Sequence, residues 1–406
     1  MPNLLRAWLL AALASATTSP ADDAARQRKC DQIVGEYDAA REKAIQARKA
    51  AKTEAEESAV VFPGPSDFAP RLMILADAQP DDAAARKAML WIVEHRLEWG
   101  GAERLAMVSR AVDLLLKFHK DDESVGLVLL KIVSFPSSPR DRFLRPIYEQ
   151  TSNRANRGRA CLALAQYLKM KGEYIQQLRM PAYKAEDPTI EIKMLGAAYF
   201  AALRETDPQP MLAESERLFE RVLADYARID HLPHHRYPGR VRSLGEVAER
   251  DLRELREHAV GKPAPEIEGK DVDGRAMKLS DSRGKVVVLV FWGSWCGPCM
   301  AQVPHERLLA ERMRGRPFVL VGVNSDEDRE ALKVTIEREK ITWRSWFDDG
   351  RVGGPIAHRW NVSSWPTVYV VDPRGVIRAR PGGYDALLDK MVDDLVGEAE
   401  KEAASR

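Results

Sequence analysis

One segment constrains this chain more than any other: the run Val286-Val287-Val288-Leu289-Val290, then Phe291-Trp292-Gly293-Ser294-Trp295-Cys296-Gly297-Pro298-Cys299, then a helix-like stretch from Met300 to about Arg314. A short β-branched apolar run reads as a buried strand. A Cys-x-x-Cys pair at a strand-to-helix junction is a redox motif with a mechanism, because the helix N-terminus stabilises a thiolate on the first cysteine. A structural zinc site would need two more Cys or His ligands at suitable spacing, and none stands there.

At 406 residues the chain is too long for one typical core, so two or three domains are expected. A formal net charge of +1 argues against a nucleic-acid or acidic-membrane surface. Of the 4 cysteines two lie in the motif, while Cys30 and Cys161 are solitary and make no disulfide framework. The N-terminus has the layout of a secretory signal over residues 1–16: a weakly basic start with Arg6, an apolar Ala7 to Ala14, and Ala14-Ser15-Ala16 as an A-x-A cleavage site. Its apolar run is too short to span a bilayer, and no later stretch reaches that length. The expected mature protein is soluble and extracytoplasmic, periplasmic in a two-membrane cell.

Residues 22–258 read as an α-helical domain. Asp22 to about Ser58 predicts one long charged helix with a thin apolar stripe of Ile33, Val34, Tyr37 and Ile45. From Asp67 to about His258 the pattern is helical throughout, punctuated by Gly100-Gly101, Pro136 and Pro139. The stretches 158–167 and 215–223 resemble parts of tetratricopeptide-like hairpins; no fixed period is present, so an irregular bundle is the competing reading. His231, His234 and His235 fall in a Pro-bounded stretch without ligand-spaced partners, which favours a solvated loop over a metal site. Trp91, Trp99 and Leu114-Leu115-Leu116 sit at core spacing.

Residues 259–265, with two prolines and a glycine, mark a linker, and 266–400 form a second domain. Glu266 to Glu268 and Ala276 to Leu279 predict strands around the turn Asp273-Gly274. After the motif come a strand at 317–323, a capping-box-like start at Ser325-Asp326-Glu327-Asp328 for a helix to about Lys340, a short strand at 343–346, and a helix at 354–360. Strands at 367–371 and 376–380 flank the turn Asp372-Pro373-Arg374-Gly375, and a helix runs from Tyr384 to about Glu400. The order β-α-β-α-(β)-α-β-β-α describes an α/β domain with helices on both faces of a mixed sheet.

With the motif, the step Trp365-Pro366-Thr367 and this order of elements, residues 262–383 resemble the TlpA/ResA-like thiol-disulfide oxidoreductases of the thioredoxin superfamily. Gly261-Lys262-Pro263-Ala264-Pro265 and Leu279 to Lys285 match the opening strands of the TlpA and peroxiredoxin branches. The resemblance implies a thioredoxin fold and catalysis by Cys296, Cys299 and Pro366. Cys296, partly exposed at the helix end, would attack a substrate disulfide, and the more buried Cys299 would resolve the mixed disulfide. Gly297 would admit the substrate closely, Pro298 would stiffen the first helical turn, and Trp295 would shield the sulfurs. Pro366 is expected to be cis, turning the Trp365 backbone toward a docking peptide beside Thr367. The family often has a carboxylate six residues before the first cysteine or a glutamate three after the second. Here those positions hold Val290 and Gln302, with Glu306 and His305 one turn farther on.

The function implied is an extracytoplasmic oxidoreductase that reduces protein disulfides through the Cys296/Cys299 dithiol, with no cofactor beyond that disulfide. Its expected partners are a protein disulfide substrate, a membrane thiol donor as reductant, and a protein held by the helical region, with no nucleic acid. A thiol peroxidase of the peroxiredoxin type is one alternative, disfavoured because Gly293 stands where its nucleophile motif Thr-x-x-Cys would place threonine. A helical partner-binding scaffold with an accessory redox domain is the other, disfavoured by the intact cysteine pair.

Overall fold

The structure is a computed structural model, and it describes residues 19–95, 102–132, 141–180, 192, 195–233, 241–350, 353–381 and 386–405. The expected signal at 1–16, Trp99, the stop at Gly100-Gly101, the punctuation at Pro136 and Pro139, His234, His235 and Tyr384 lie outside these residues. Two compact units are present: Met1–Ile132 with Ser137–Ala160, and Val133–Pro136 with Cys161–Arg406.

The first unit holds helices α1 (Pro20–Ala50), α2 (Glu54–Ser58), α3 (Ala69–Ala78), α4 (Ala83–Glu94), α5 (Ala102–Phe118), α6 (Glu123–Leu129) and α7 (Asp141–Gln150), and the start of α8 (Arg154–Leu178). Ser19 caps α1, its hydroxyl oxygen accepting the Asp22 N–H at 3.2 Å. The single helix expected to reach Ser58 is broken instead. Ala51 is extended (φ −61°, ψ 134°), and the Thr53 side chain accepts the Glu56 N–H at 3.2 Å to start a new helix. A threonine that satisfies the backbone locally outcompetes continuation of a helix with little apolar surface to bury. The buried stripe of α1 is thin, as expected: Cys30, Ile33, Tyr37 and Ala44. Tyr37 meets the rings of Phe68 and Trp91 edge-on at 5.4 and 5.1 Å, which makes Trp91 a core residue.

The second unit opens with the rest of α8, then α9 (Ala197–Glu205) and α10 (Gln209–Arg221), which runs into a π-helical turn at Val222–Tyr226. The chain does not stay helical to His258. Strands β1 (Asp230–Pro233) and β2 (Val241–Ser243) pair antiparallel, and Ser243 then opens α11 (Leu244–Arg253) through a capping box with Glu246. His231 therefore lies in a strand rather than a solvated loop, and burial pushes its pKa down toward the neutral imidazole. A π-helical turn, Glu254–His258, follows.

Beyond it, β3 (Glu268–Lys270) and β4 (Ala276–Lys278) form a hairpin whose turn has Gly274 at φ +83°. The main sheet has five strands in the order β7 (Ser345–Phe347), β6 (Phe318–Asn324), β5 (Val286–Trp292), β8 (Thr367–Val371) and β9 (Ile377–Ala379). The β5–β6 and β6–β7 pairs are parallel; β5–β8 and β8–β9 are antiparallel. Among the described residues four helices accompany the sheet: α12 (Gly297–Arg312), α13 (Arg329–Arg338), α14 (Pro355–Arg359) and α15 (Ala386–Ala404). Along β5, Val286, Val288, Val290 and Trp292 enter one core with Cys299, Val303 and Leu388 of α12 and α15. Val287, Leu289 and Phe291 enter another with Trp346, Trp360 and Tyr369. A strand covered on both faces has no polar side to alternate, which is why β5 reads as a continuous apolar run.

Candidate active site

β5 delivers the motif at the end of the sheet. At its last residue, Trp292, the carbonyl accepts the Ser325 N–H at 2.9 Å and the indole donates to Ser345 Oγ at 3.3 Å. A turn closes when the Cys296 N–H donates to the Gly293 carbonyl at 3.0 Å. Cys296 is the N-cap of α12, with Pro298 in the first turn, and its Sγ accepts the Cys299 N–H at 3.2 Å. That bond brings the positive end of the helix onto the Cys296 sulfur.

Cys296 and Cys299 form a disulfide with their Cα atoms 5.2 Å apart. Cys296 was expected to be partly exposed, yet it is only 5% exposed and Cys299 2%. In the oxidised pair the Cys296 sulfur is turned onto the helix end and bonded to its partner, which leaves little of it facing water. Access comes from the side: Gly297 and Pro298 are exposed, and the space a Cβ on Gly297 would occupy is open to 4 Å.

Two indoles flank the pair. Trp295, 38% exposed, donates from Nε1 to the Ser325 carbonyl at 3.2 Å. Trp365 donates from Nε1 to Ser325 Oγ at 3.1 Å. The rings meet edge-to-face, 5.7 Å between centroids and 60° between planes. The Trp365–Pro366 bond is cis. Thr367 stands opposite Phe291 in the β5–β8 register, so Pro366 lies at the sheet end from which the motif emerges; the Thr367 hydroxyl donates to the Ser364 carbonyl at 2.8 Å. Trp295, Cys296, Gly297, Pro298, Trp365 and Pro366 are thus gathered at one end of the sheet.

The turn that holds this arrangement is not marked in the sequence. Residues 325–328 were expected only to begin a helix, and Asp328 does cap α13, accepting the Glu330 and Ala331 N–H groups. The preceding Ser325 and Asp326 are buried and turned to the motif. Asp326 accepts the Ser294 N–H at 3.0 Å, the Ser294 hydroxyl at 2.7 Å and the Asn324 amide at 2.6 Å. The available signal was topological: β5 and β6 are parallel, Trp292 is level with Asn324, and sites gather beyond the carboxyl ends of parallel strands.

Position 293 bears on the chemistry. A Cβ there would meet Trp295 Nε1 at 2.6 Å and Cε2 at 2.7 Å, so the Trp295 ring fills the space a threonine side chain would need. Val290 is core, and Gln302 Oε1 is buried with no hydrogen-bond partner among the described residues. Glu306 is buried at 4% exposure on the same helix stripe as Cys299, whereas His305 is half-buried with Nε2 3.3 Å from Asp389 Oδ1. Among the described residues no three metal-ligating groups cluster, and Cys30 and Cys161 are buried and not joined in a disulfide.

A central mixed sheet with a cysteine pair capping the following helix and a cis-proline at the same sheet end defines a thioredoxin-fold disulfide oxidoreductase. Residues 260–380 match the profile of the AhpC/TSA family. The thiol-disulfide oxidoreductase ResA of Bacillus anthracis is 27% identical over 143 residues, 35% of this chain and 73% of that protein. ResA of Geobacillus kaustophilus (strain HTA426) is 31% identical over 120 residues, 30% of this chain and 67% of that protein. Among solved structures, the thioredoxin domain of a thiol-disulfide oxidoreductase from Bacteroides vulgatus aligns with 36% of this chain and 97% of its own length, at 28% identity and a TM-score of 0.30. The chain belongs to the ResA thiol-disulfide oxidoreductase family through its C-terminal part. It is a thioredoxin-like protein-disulfide oxidoreductase.

Proposed function

We propose that this oxidoreductase works in the reducing direction in an extracytoplasmic compartment, with Cys296 as nucleophile and Cys299 as resolving thiol. The observation that carries the roles is the Cys299 N–H held on Cys296 Sγ at the start of α12, which favours a thiolate on Cys296 and not on Cys299. In the reduced enzyme the Cys296 thiolate attacks one sulfur of a substrate disulfide, forming a mixed disulfide and expelling the other substrate sulfur as a thiolate. Cys299 then loses its proton and attacks Cys296 Sγ, which releases the second substrate thiolate and closes the Cys296–Cys299 bond. Two electrons pass from the dithiol to the substrate, and the released thiolates take up protons. The redox group is the cysteine pair itself, and no dissociable cofactor enters this cycle.

Trp295, Gly297, Pro298, Trp365 and Thr367 form the docking surface in this reading, with Pro366 aligning the substrate strand. A Gly-Pro pair between the cysteines resembles reducing thioredoxins, whose potentials lie near about −270 mV. Such a reductant needs a supply of electrons outside the cytoplasm, which we assign to a membrane thiol donor. The helical region before the linker at 259–265, in a repeat-like arrangement, would hold a protein partner, and residues 1–16 would direct export. No helix among the described residues is long and apolar enough to cross a membrane. A peroxiredoxin-type peroxidase is disfavoured by Trp295 filling the space beside Gly293.

Insulin reduction by the full chain tests the reading. Turnover that vanishes in Cys296→Ser, with a potential near about −270 mV, supports it. A potential near about −120 mV points to an oxidant, and peroxide-dependent thiol oxidation with fast turnover points to a peroxidase.

A further inference from the structure

We propose that Asp326 is a positioning residue that holds the turn before Cys296 and sets a buried negative charge against the Cys296 thiolate, which keeps the cysteine pair on the reducing side. The inference rests on the reducing reading above and supplies a tuning group for it.

The turn is Gly293-Ser294-Trp295-Cys296, closed by the Cys296 N–H on the Gly293 carbonyl at 3.0 Å. Ser294 is its second residue, and Asp326 takes both of its donors. The Ser294 N–H reaches the two carboxylate oxygens at 3.0 and 3.2 Å, and the hydroxyl donates to one of them at 2.7 Å. Asn324, the last residue of β6, holds the carboxylate from behind. Its amide donates to Asp326 at 2.6 Å, and its own oxygen accepts the Asp326 N–H at 3.0 Å. Charge-assisted bonds of this kind are short and directional. The residue two places before the nucleophile is thus anchored to the neighbouring strand. None of these bonds involves a sulfur, so the anchor does not depend on the disulfide.

Anchoring alone needs no charge, because an asparagine oxygen at this place would accept the same two Ser294 donors. Asp326 is only 6% exposed, and a buried carboxylate is costly to keep ionised. Its side-chain partners among the described residues, Ser294 and Asn324, are neutral. Other charged groups around the site are engaged elsewhere or face water. Arg329 lies over the Phe347 ring at 4.6 Å, Glu327 is exposed, His305 faces Asp389, and Glu306 follows Cys299 by seven positions. Two influences therefore meet at Cys296. The start of α12 and the Cys299 N–H favour its thiolate. A dithiol whose reduced form is strongly stabilised is an oxidant. The like charge of Asp326, fixed on the same turn, opposes ionisation of the thiol. It leaves the reduced form less stabilised and makes the pair a better electron donor.

The test measures two quantities in the full-length protein. One is the titration of the Cys296 thiol, from its alkylation rate against pH read by mass spectrometry. The other is the reduction potential in glutathione buffers at a pH above the wild-type Cys296 value. In Asp326→Asn the thiol pKa should fall by about one unit, a tenfold gain in thiolate stability that raises the potential by about 30 mV. Asp326→Ser removes the same charge and serves where the asparagine variant does not fold. Ser294→Ala loses the hydroxyl bond but keeps the charge, and should leave both quantities near the wild-type values. Wild-type values in the variants that lack the charge overturn the proposal. A shift of equal size and sign in Ser294→Ala overturns it too, since Asp326 would then act through position alone. A wild-type potential near about −120 mV sinks the reducing reading, and is told apart from failure of the charge effect, which is read from the difference between wild type and variant.

Discussion

Replacing Gly293 with alanine is a small change with a calculable result. The new Cβ would lie 2.6 Å from Trp295 Nε1 and 2.7 Å from Cε2, well inside contact distance. The backbone at 293 is buried at the end of β5, but Trp295 borders solvent, so the indole moves rather than the strand. Leaving its place forfeits the hydrogen bond to the Ser325 carbonyl, worth about 1 kcal/mol, and the edge contact with Trp365, worth about another 1 kcal/mol. A bias of about 2 kcal/mol is about thirtyfold in the population of the indole in its present place. Gly293→Ala should therefore lower kcat/KM for reduction of unfolded protein disulfides by up to about thirtyfold, with Trp295 emission shifted toward that of a solvated indole. Stopped-flow reduction of a peptide disulfide and the emission spectrum of the reduced enzyme check this. Wild-type kinetics together with unchanged emission would refute the reasoning, since the ring would then tolerate a Cβ it should not.

Two further predictions concern the cysteines and the buried charges of the second unit. Cys299→Ala should accumulate mixed disulfides through Cys296, which mass spectrometry identifies along with the substrate; Cys296→Ser should trap nothing. Lys169 Nζ lies 3.0 Å from Glu254 and 3.3 Å from Glu173, and Glu254 also pairs with Arg380. Burial opposes ionisation of Glu254, but Lys169 and then Arg380 outweigh it, and its pKa is lowered. Its contribution to stability is thus present above the unfolded value of about 4.3 and lost as pH falls through the lower folded value. Glu173 goes the other way: burial raises its pKa, so folding favours its protonated form and gains as pH falls from the folded value toward the unfolded one. At pH 7, Glu254→Gln should cost about 3–5 kcal/mol by taking the carboxylate from Arg380 and leaving Lys169 with Glu173 alone, and Glu173→Gln markedly less. Urea midpoints decide it, and equal losses would show that the two carboxylates are not distinguished by their surroundings.

What was legible in the sequence follows from physics that acts locally. β5 was readable because both faces are buried, so no polar position interrupts it. Gly274 and Gly375 were readable as turns because each takes a positive φ, +83° and +84°, that side-chain-bearing residues avoid. The β1–β2 hairpin was not: its strands are short and one ends on Pro233, so they carry too few alternating positions to separate from a loop. The break at Ala51–Thr53 depends on a cap competing with a weakly anchored helix, a balance that composition does not display. Ser325 and Asp326 were invisible as site residues for another reason. Their role depends on which strand lies beside β5, and Ser-Asp-Glu-Asp reads equally well as an ordinary helix start. Covering of the Cys296 sulfur depended on the oxidation state of the pair, which no sequence encodes.

The family's usual carboxylates are missing at Val290 and Gln302, and the structure divides their duties. Cys299, Val303, Glu306 and Leu309 form the buried stripe of α12. Glu306 follows Cys299 by seven positions, about 10.5 Å of helical rise. At that range and an effective dielectric of about 20, an ionised carboxylate opposes a thiolate by about 1.6 kcal/mol, less than half the penalty at 4 Å. Gln302, one turn from Cys299, can accept a hydrogen bond through its buried Oε1 but cannot take the proton. Deprotonation of Cys299 must then pass through an intermediary, and it is coupled only weakly to any carboxylate. Resolution of the mixed disulfide should therefore rise with pH along a single thiol titration and show no second inflection in the carboxylate range. Single-turnover quenching between pH 4 and 9 measures this directly. An inflection below pH 6 that disappears in Glu306→Gln would instead make Glu306 the proton acceptor despite its distance.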